Sequence, residues 1–384
     1  MKSVLALLTV LMISACGSTP EPVNKPAELS PIENPIKVKV VWDQSSGVGS
    51  QGQYVRLQPA ISADRIWTID IAGSLVAHDR VSGRQLWKRE TGLAVSGALG
   101  LGDGRLLVGT RDAKLVALSA ETGEQLWVFN ASSEILSVPA ISLDIAVAQT
   151  GDGHVFAVSA KEGKEGKQIW DYSRSLPLLT LRGTANPVVR ESRVYAGFAD
   201  GKAVSLGLLD GRVFWEKTIS IPGGRTEIER LVDVDASPLS VGDEIYVVSY
   251  QGNITSLFGA TGDKIWNRQM SAHSGLAVET NRIFLADSKD HLWSLGRSNG
   301  ASLWKQDKLQ GRRLSAATLY GDYLVAGDFE GYLHFLRRSD GKISARIQVG
   351  NGGFASAPVT VEDKLYIYTG DGKLVALEFE DEQS

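Results

Sequence analysis

The stretch LVALSAETGEQLW, residues 115–127, decides the fold because the chain repeats it with small changes. Each copy begins with a short apolar run, passes through a polar turn that contains glycine, and in most cases ends in tryptophan. The other copies are LVAHDRVSGRQLW (75–87), VFAVSAKEGKEGKQIW (155–170), VSLGLLDGRVFW (204–215), ITSLFGATGDKIW (254–266), LWSLGRSNGASLW (292–304), LHFLRRSDGKISA (333–345) and the incomplete LVALEFE (374–380). Such self-similarity at a nearly fixed period indicates a repeat architecture.

Each repeat predicts four short strands. A β-rich run such as RLLVGT (105–110) precedes each copy, and a further short segment, often with a proline, lies ahead of that run. Four strands in about 40–45 residues are typical of a propeller blade. We therefore predict an all-β fold over residues 37–384, an eight-bladed β-propeller of four-stranded antiparallel blades.

The eighth repeat has no outer strand of its own after Glu380. A surplus strand, VKVVWDQ (38–44), stands ahead of the first blade and contains a tryptophan. We predict that this N-terminal strand completes the last blade and closes the ring, because closure leaves no blade with a missing edge.

Seven tryptophans occupy one position of the repeat. Because a ligand-binding residue would not recur in every blade, we expect these rings to pack between neighbouring blades, with each indole N–H bonded to backbone. Ala345 stands at that position in the seventh repeat. The seven are Trp42, Trp87, Trp127, Trp170, Trp215, Trp266 and Trp304.

The N-terminus predicts a lipid anchor. Residues 1–15 have the charged start and short apolar run of a signal peptide, and the run is too short to span a bilayer. The sequence that ends in Cys16, the single cysteine, resembles a bacterial lipobox, which implies acylation and stable membrane attachment. Ser18 in place of aspartate implies the outer membrane by the sorting rule of enterobacterial lipoproteins. We expect residues 16–36, which are rich in proline, to form an extended, disordered tether.

Two links between blades are unusually long, and they are successive. We expect residues 170–187 and 215–238 to lie side by side on one face of the ring. The first brings four leucines around Arg182, and the second brings Asp233 and Asp235. Apolar residues beside charges on rigidly held loops predict a binding patch. Alternatively, Leu179 and Leu181 pack down between blades and Arg182 pairs internally with Asp233 or Asp235. In a mixed case, such a pair shapes a loop that a partner still contacts.

The segment from Ala117 to Trp127 resembles the tryptophan-docking motif of quinoprotein propellers, which two families share. One is the pyrroloquinoline-quinone dehydrogenases, and the other is the BamB family, lipoproteins of the outer-membrane β-barrel assembly machinery. The resemblance to BamB covers the whole chain and includes the segments LLTLRG (178–183) and TEIERLVDVDASP (226–238).

The BamB resemblance implies a non-catalytic scaffold that assists assembly and insertion of outer-membrane β-barrels. It implies that the central insertase of that machinery docks, through its periplasmic POTRA domains, on five residues. These are Leu179, Leu181, Arg182, Asp233 and Asp235. The scaffold could also present blade edges to unfolded barrel strands by β-augmentation. The resemblance implies no cofactor.

The alternative function is a periplasmic quinoprotein oxidoreductase. The chain has no vicinal cysteine pair, and Asp233 with Asp235 begins a calcium site that no nearby residues complete. The two carboxylates also fit, less well, a glycoside-hydrolase pair. The five histidines are scattered through different blades, and we expect no metal site. The net charge of −4, with both signs mixed, argues against nucleic-acid binding.

Overall fold

A computed structural model describes residues 25–181, 184–272, 274–354 and 356–380. Every regular element in those ranges is a strand, and the 32 strands form eight four-stranded sheets. Each sheet is one blade. Blade 1 contains the second to fifth strands of the chain, each later blade takes the next four strands, and blade 8 combines the last three strands with the first. The prediction of an eight-bladed, all-β propeller is confirmed.

The strand bounds follow the repeat. The first strands are β2 (Ala60–Ile61), β6 (Gly100–Gly102), β10 (Ala140–Ser142), β14 (Val188–Arg190), β18 (Leu239–Val241), β22 (Leu276–Val278), β26 (Thr318–Tyr320) and β30 (Val359–Val361). The second strands are β3 (Arg65–Ile69), β7 (Arg105–Gly109), β11 (Ile145–Gln149), β15 (Arg193–Gly197), β19 (Glu244–Val248), β23 (Arg282–Ala286), β27 (Tyr323–Gly327) and β31 (Lys364–Tyr368).

The third strands are β4 (Ser74–Asp79), β8 (Lys114–Ser119), β12 (His154–Ser159), β16 (Lys202–Gly207), β20 (Asn253–Phe258), β24 (Leu292–Gly296), β28 (Tyr332–Arg337) and β32 (Lys373–Phe379). The fourth, outer strands are β5 (Gln85–Glu90), β9 (Gln125–Asn130), β13 (Gln168–Ser173), β17 (Val213–Thr218), β21 (Lys264–Gln269), β25 (Ser302–Gln306), β29 (Ile343–Gln348) and β1 (Val38–Ser45).

The ring closes as predicted. Strand β1 pairs antiparallel with β32, so that Val38 lies opposite Phe379 and Ser45 lies opposite Lys373. The buried apolar side chains group between neighbouring blades rather than inside one blade. Blade-to-blade packing is therefore the core of this molecule. Among the described residues, no helix is long and apolar enough to cross a membrane.

Six turn glycines explain how neighbouring blades approach each other. Each lies in the turn before a fourth strand, has a positive φ, and lies against the docking tryptophan of the preceding blade. At Gly211, for example, an added Cβ would lie 2.8 Å from the Trp170 ring. Glycine is thus required both by the turn and by the close approach. The pairs are Gly83 with Trp42, Gly123 with Trp87, Gly211 with Trp170, Gly262 with Trp215, Gly300 with Trp266, and Gly341 with Trp304.

The expected indole hydrogen bond forms in four blades. Trp170, Trp215, Trp266 and Trp304 each donate Nε1–H to the carbonyl of the residue that follows the third strand of the next blade. For Trp42, Trp87 and Trp127 the expectation is wrong, because no described group accepts their N–H.

At those three interfaces another side chain takes the matching carbonyl. The donors are Trp67 to Ala120 O (3.0 Å), Arg105 Nη2 to Ala160 O (3.0 Å) and Tyr366 Oη to Arg80 O (3.5 Å). All three donors lie on the second strand of their blade. At these seven interfaces the carbonyl after the third strand always accepts a hydrogen bond from the preceding blade, whereas the donor side chain differs.

Blade 7 lacks a docking tryptophan, and its neighbour supplies an aromatic ring instead. Ala345 is buried at the tryptophan position. Phe379, at the end of β32 in blade 8, stacks on Tyr320 of blade 7 with ring centroids 4.4 Å apart. A phenylalanine of blade 8 thus fills the interface between blades 7 and 8, where a tryptophan of blade 7 would otherwise pack.

Residues 25–36 are docked on the propeller, whereas the sequence predicts a disordered tether. They lie against blades 6 and 7, where Ala27 N–H bonds to Gln310 O (2.8 Å) and Ile36 N–H bonds to Ser344 O (2.9 Å). Leu29 packs on the buried apolar cluster between those blades. The alternation of proline and polar residues gave no sign of this docking. Residues 1–24, with Cys16, lie outside the described residues.

Replacing Gly211 with alanine should destabilise the fold more than the same change at Gly104. The two glycines have nearly the same φ, 68° and 71°, but no atom lies within 4 Å of a Cβ at Gly104. Gly104→Ala should therefore cost about 1 kcal/mol of left-handed strain. Gly211→Ala should add about 1–3 kcal/mol of overpacking against Trp170. Urea unfolding measures both, and equal losses would refute the docking role of the glycine.

Candidate docking surface on the linker face

The up-and-down order of the strands gives the ring two distinct faces. One face, called here the linker face, carries the links between blades and the hairpins between second and third strands. The opposite face, called the turn face, carries the other hairpins. Contacts agree with this division: Arg174, in the link from blade 3, binds Asp200 in the second hairpin of blade 4 (Nη2 to Oδ2, 2.6 Å). The long links 174–187 and 219–238 are therefore neighbours on the linker face, as predicted.

The link 174–187 exposes two of its four leucines. Leu178 is fully exposed, and Leu179 keeps 42% of its surface accessible. Leu176 and Leu181 are half-buried and line a cavity of about 200 Å³ beneath the link. Leu181 packs down as the alternative expects, whereas Leu179 faces solvent. Arg182 lies outside the described residues.

The link 219–238 has an exposed tip and a buried stem. Residues 221–230 are exposed, and residues 231–236 are buried. In the tip, Glu229 donates its N–H to Thr226 Oγ1 (3.2 Å), and its carboxylate accepts the N–H of Arg225 (2.7 Å) and of Thr226 (3.2 Å). This reciprocal pattern is that of a capping box, and it orders the tip as a short helical turn.

The tip also presents apolar side chains that the sequence pattern did not reveal. Ile221 is 80% exposed and Ile228 is 66% exposed. Their spacing matches no strand pattern, so no local signal distinguished them from buried isoleucines. Together with Leu178 and Leu179 they make the two links unusually apolar for exposed loops.

Asp233 joins the two links. Its side chain is 1% exposed, and Oδ2 accepts the backbone N–H of Leu181. Its own carbonyl accepts the N–H of Tyr250 (2.9 Å). Burial raises the pKa of Asp233 to about 7, the Leu181 N–H opposes that rise, and the nearby charge of Asp235 adds to it. Asp233 is therefore a positioning residue beneath the surface, not an exposed contact.

Asp235 is also buried, and it meets a residue from the far side of the ring. Burial raises the pKa of Asp235 to about 6, and the positive charge of Arg56 partly offsets this rise. Arg56 Nη1 also donates to the Asp235 carbonyl (3.3 Å). Arg56 precedes blade 1 and Asp235 precedes blade 5, so these opposite blades are bridged across the central channel.

The central channel is lined by residues of the first strands, such as Ala277, and by residues just before those strands, such as Ala317. Its volume is about 520 Å³, and Arg56 contributes a charged side chain to its lining. Within the described ranges, no three His, Cys, Asp or Glu side chains group closely enough to hold a metal ion. The geometry of the linker face, in contrast, brings together Leu179, Leu181 and Asp233.

The fold and the docked tryptophans define a propeller of the quinoprotein type. The quinohemoprotein alcohol dehydrogenase of Comamonas testosteroni shares the fold, with a TM-score of 0.70 at 12% identity over 89% of this chain and 76% of that chain. At that identity the likeness concerns the fold alone. The crystal structure of BamB from Moraxella catarrhalis is more similar, with a TM-score of 0.80 and 25% identity over 89% of this chain and 100% of that chain.

Sequence comparison identifies the family. The family model described as outer membrane protein assembly factor BamB matches residues 72–306 and 300–383. The relative of that name in Shewanella oneidensis is 37% identical, over 96% of both chains. The one in Alkalilimnicola ehrlichii is 39% identical, over 98% of this chain and 96% of its own. The chain belongs to the BamB family of outer membrane protein assembly factors.

Asp233 should make the protein less stable as the pH rises. Its folded-state pKa of about 7 lies above its unfolded value of about 4, so its stabilising contribution is complete below pH 4 and is lost as the pH rises through 7. Asp233→Asn should therefore flatten the change in unfolding free energy between pH 5 and pH 8 by on the order of 2 kcal/mol. Urea titrations measure this, with exposed Asp307→Asn as the control. Equal slopes in Asp233→Asn and wild type would contradict the assignment.

Proposed function

We propose that this protein is a non-catalytic scaffold lipoprotein of the outer-membrane β-barrel assembly complex. Its linker face binds the periplasmic POTRA domains of the central insertase and helps to position that insertase for barrel insertion. Membership of the BamB family supports this role. The observation that carries it is the pair of exposed leucines, Leu178 and Leu179, on a link whose backbone is fixed by buried Asp233.

The proposed surface is preorganised. A loop that is ordered only on binding loses conformational entropy, which reduces affinity. Here the Leu181 N–H is already held by Asp233, and the capping box already orders the tip of the second link. The exposed apolar side chains can therefore contact a partner without much rearrangement. Of the five predicted site residues, Leu179 and Arg182 act as contacts in this proposal, whereas Leu181, Asp233 and Asp235 position them.

The same proposal places the protein at the periplasmic surface of the outer membrane. Acylated Cys16 attaches the protein to the inner surface of the outer membrane, and the propeller lies on the periplasmic side. The insertase spans that membrane, so its periplasmic domains are within reach of an anchored partner. The lipid anchor rests on the lipobox and on Ser18.

A second candidate function is transient binding of unfolded barrel strands at blade edges. Seven outer strands expose a large apolar residue just before the docking tryptophan. Ile36 shows that an extended segment can bond to such an edge, because its N–H binds Ser344 O on β29. The seven are Val41, Leu86, Leu126, Ile169, Phe214, Ile265 and Leu303. Hydrogen exchange with added substrate peptides tests this, since unchanged protection of the outer strands would refute it.

Loss of the exposed leucines should weaken POTRA binding. The variant Leu178→Ala/Leu179→Ala should bind the POTRA array at least about tenfold more weakly, a loss of about 1.4 kcal/mol or more. Arg182→Glu should cost about 2–5 kcal/mol if it contacts an opposite charge in a desolvated pair. Isothermal titration calorimetry measures both.

The matched control is Leu143→Ala. Leu143 is also an exposed leucine, at 67%, but it lies on the turn face in the first hairpin of blade 3. The Leu143→Ala variant should bind as wild type does. Wild-type affinity in the double-leucine variant, or no binding by folded wild type, would refute the proposed surface.

A further inference from the structure

The docked segment 25–36, called here the strap, is fixed at both of its ends. At the linker face, Ala27 donates its N–H to Gln310 O (2.8 Å) and accepts from Arg312 Nη1 (3.0 Å). Toward the turn face, Ile36 donates to Ser344 O (2.9 Å). The strap thus crosses the rim of the ring along blade 7, and it enters at the linker face between blades 6 and 7.

Apolar packing also holds the strap. Leu29 packs against the buried cluster formed by blades 6 and 7, and Ile36 packs against the cluster of blades 7 and 8. Arg346 Nη1 donates to Ser30 O between them (3.2 Å). Because apolar surface gains free energy when it leaves water, these contacts favour the docked state of the strap.

Arg312, which donates a hydrogen bond to the strap, is itself held by two carboxylates. Arg312 is buried and binds Asp328 (Nε to Oδ2, 2.7 Å) and Glu330. Asp328 is fully buried and also contacts His334 Nε2 (2.8 Å). This network fixes the guanidinium in the position where it meets the Ala27 carbonyl, so the site for the strap is built into blade 7.

Docking of the strap limits the distance between Cys16 and the propeller. From Cys16 to Lys25 the chain can reach about 30 Å when fully extended, whereas from Cys16 to Lys37 it could reach about 70 Å. With the longer reach, either face of the ring could turn toward the lipid. With the shorter reach, the anchor must lie near the point where the strap enters.

We propose that the strap makes the linker-face rim of blades 6 and 7 the side of the propeller that is held next to the membrane surface. This inference rests on the proposed lipid anchor at Cys16. It has a consequence for docking, because the links 174–187 and 219–238 lie on the same face. The partner surface and the membrane are then on one side of the ring, as an insertase embedded in that membrane requires.

Energy transfer to the membrane tests this orientation. Acylation of Cys16 leaves an introduced cysteine as the single free thiol, so the full-length lipidated protein can be labelled at one site. Lys289→Cys places a donor dye on the linker face of blade 6, and Ser339→Cys places it on the turn face of blade 7. The acceptor is a headgroup-labelled lipid in phosphatidylethanolamine and phosphatidylglycerol vesicles. We expect higher transfer from the Lys289 position.

Releasing the strap should abolish that difference. Leu29→Asp places a charge in the apolar cluster, so the strap should detach and the transfer from the two labels should converge. Glu28→Gln is the matched control, because Glu28 is exposed and pairs with Lys25 alone among the described ion pairs. It should keep the wild-type difference. Thermal melting checks that Leu29→Asp leaves the propeller folded.

The possible failures are distinguishable. Equal transfer from both labels in wild type, or an unchanged difference in folded Leu29→Asp, would overturn the orientation while leaving POTRA binding intact. Failure of the lipidated preparation to bind vesicles would refute the anchor, and this inference with it. Absence of POTRA binding by folded wild type in calorimetry would refute the docking surface without affecting the transfer measurement.

Discussion

The rest of the structure depends on the contact between a docking tryptophan and the turn glycine of the next blade. The glycine allows both the left-handed turn and the approach of a flat ring, as Gly211 and Trp170 show. Repetition of this contact places the core between blades, so no blade is stable alone. Because β1 completes blade 8, the series has no free end, and the ring becomes a rigid support. Rigidity is what lets two irregular links hold fixed positions on one face.

On the rigid ring, buried charged residues position the links, and exposed apolar residues face solvent. Asp233 lies beneath the linker face and bonds to the backbone of the neighbouring link, although burial of its carboxylate is unfavourable. Leu178 and Leu179 lie above it and face solvent. Arg56 bridges opposite blades at Asp235 and lines the central channel. A similar division holds at the strap, where the buried pair Arg312 and Asp328 supports a surface contact.

The sequence predicted features with a repeating physical cause and missed those without one. Strand number and ring closure were predictable, because each repeat must bury its apolar face against the next. The indole bonds of Trp42, Trp87 and Trp127 were predicted wrongly, since competing donors such as Trp67 come from a different strand. Burial of Asp233 and Asp235 could not be predicted, because the sequence of an irregular link does not indicate which of its side chains are exposed to solvent. The strap was missed because its partners are about 300 residues away in sequence.

Site-specific photocrosslinking in cells that contain the whole assembly complex tests the proposed docking most directly. A photoreactive amino acid replaces Leu178 on the linker face or, as the comparison, Leu143 on the turn face. We expect a crosslink to the insertase, mapped by mass spectrometry to its POTRA domains, from position 178 and none from position 143. No crosslink from position 178, or equal crosslinking from both positions, would contradict the claim that the linker face binds the insertase.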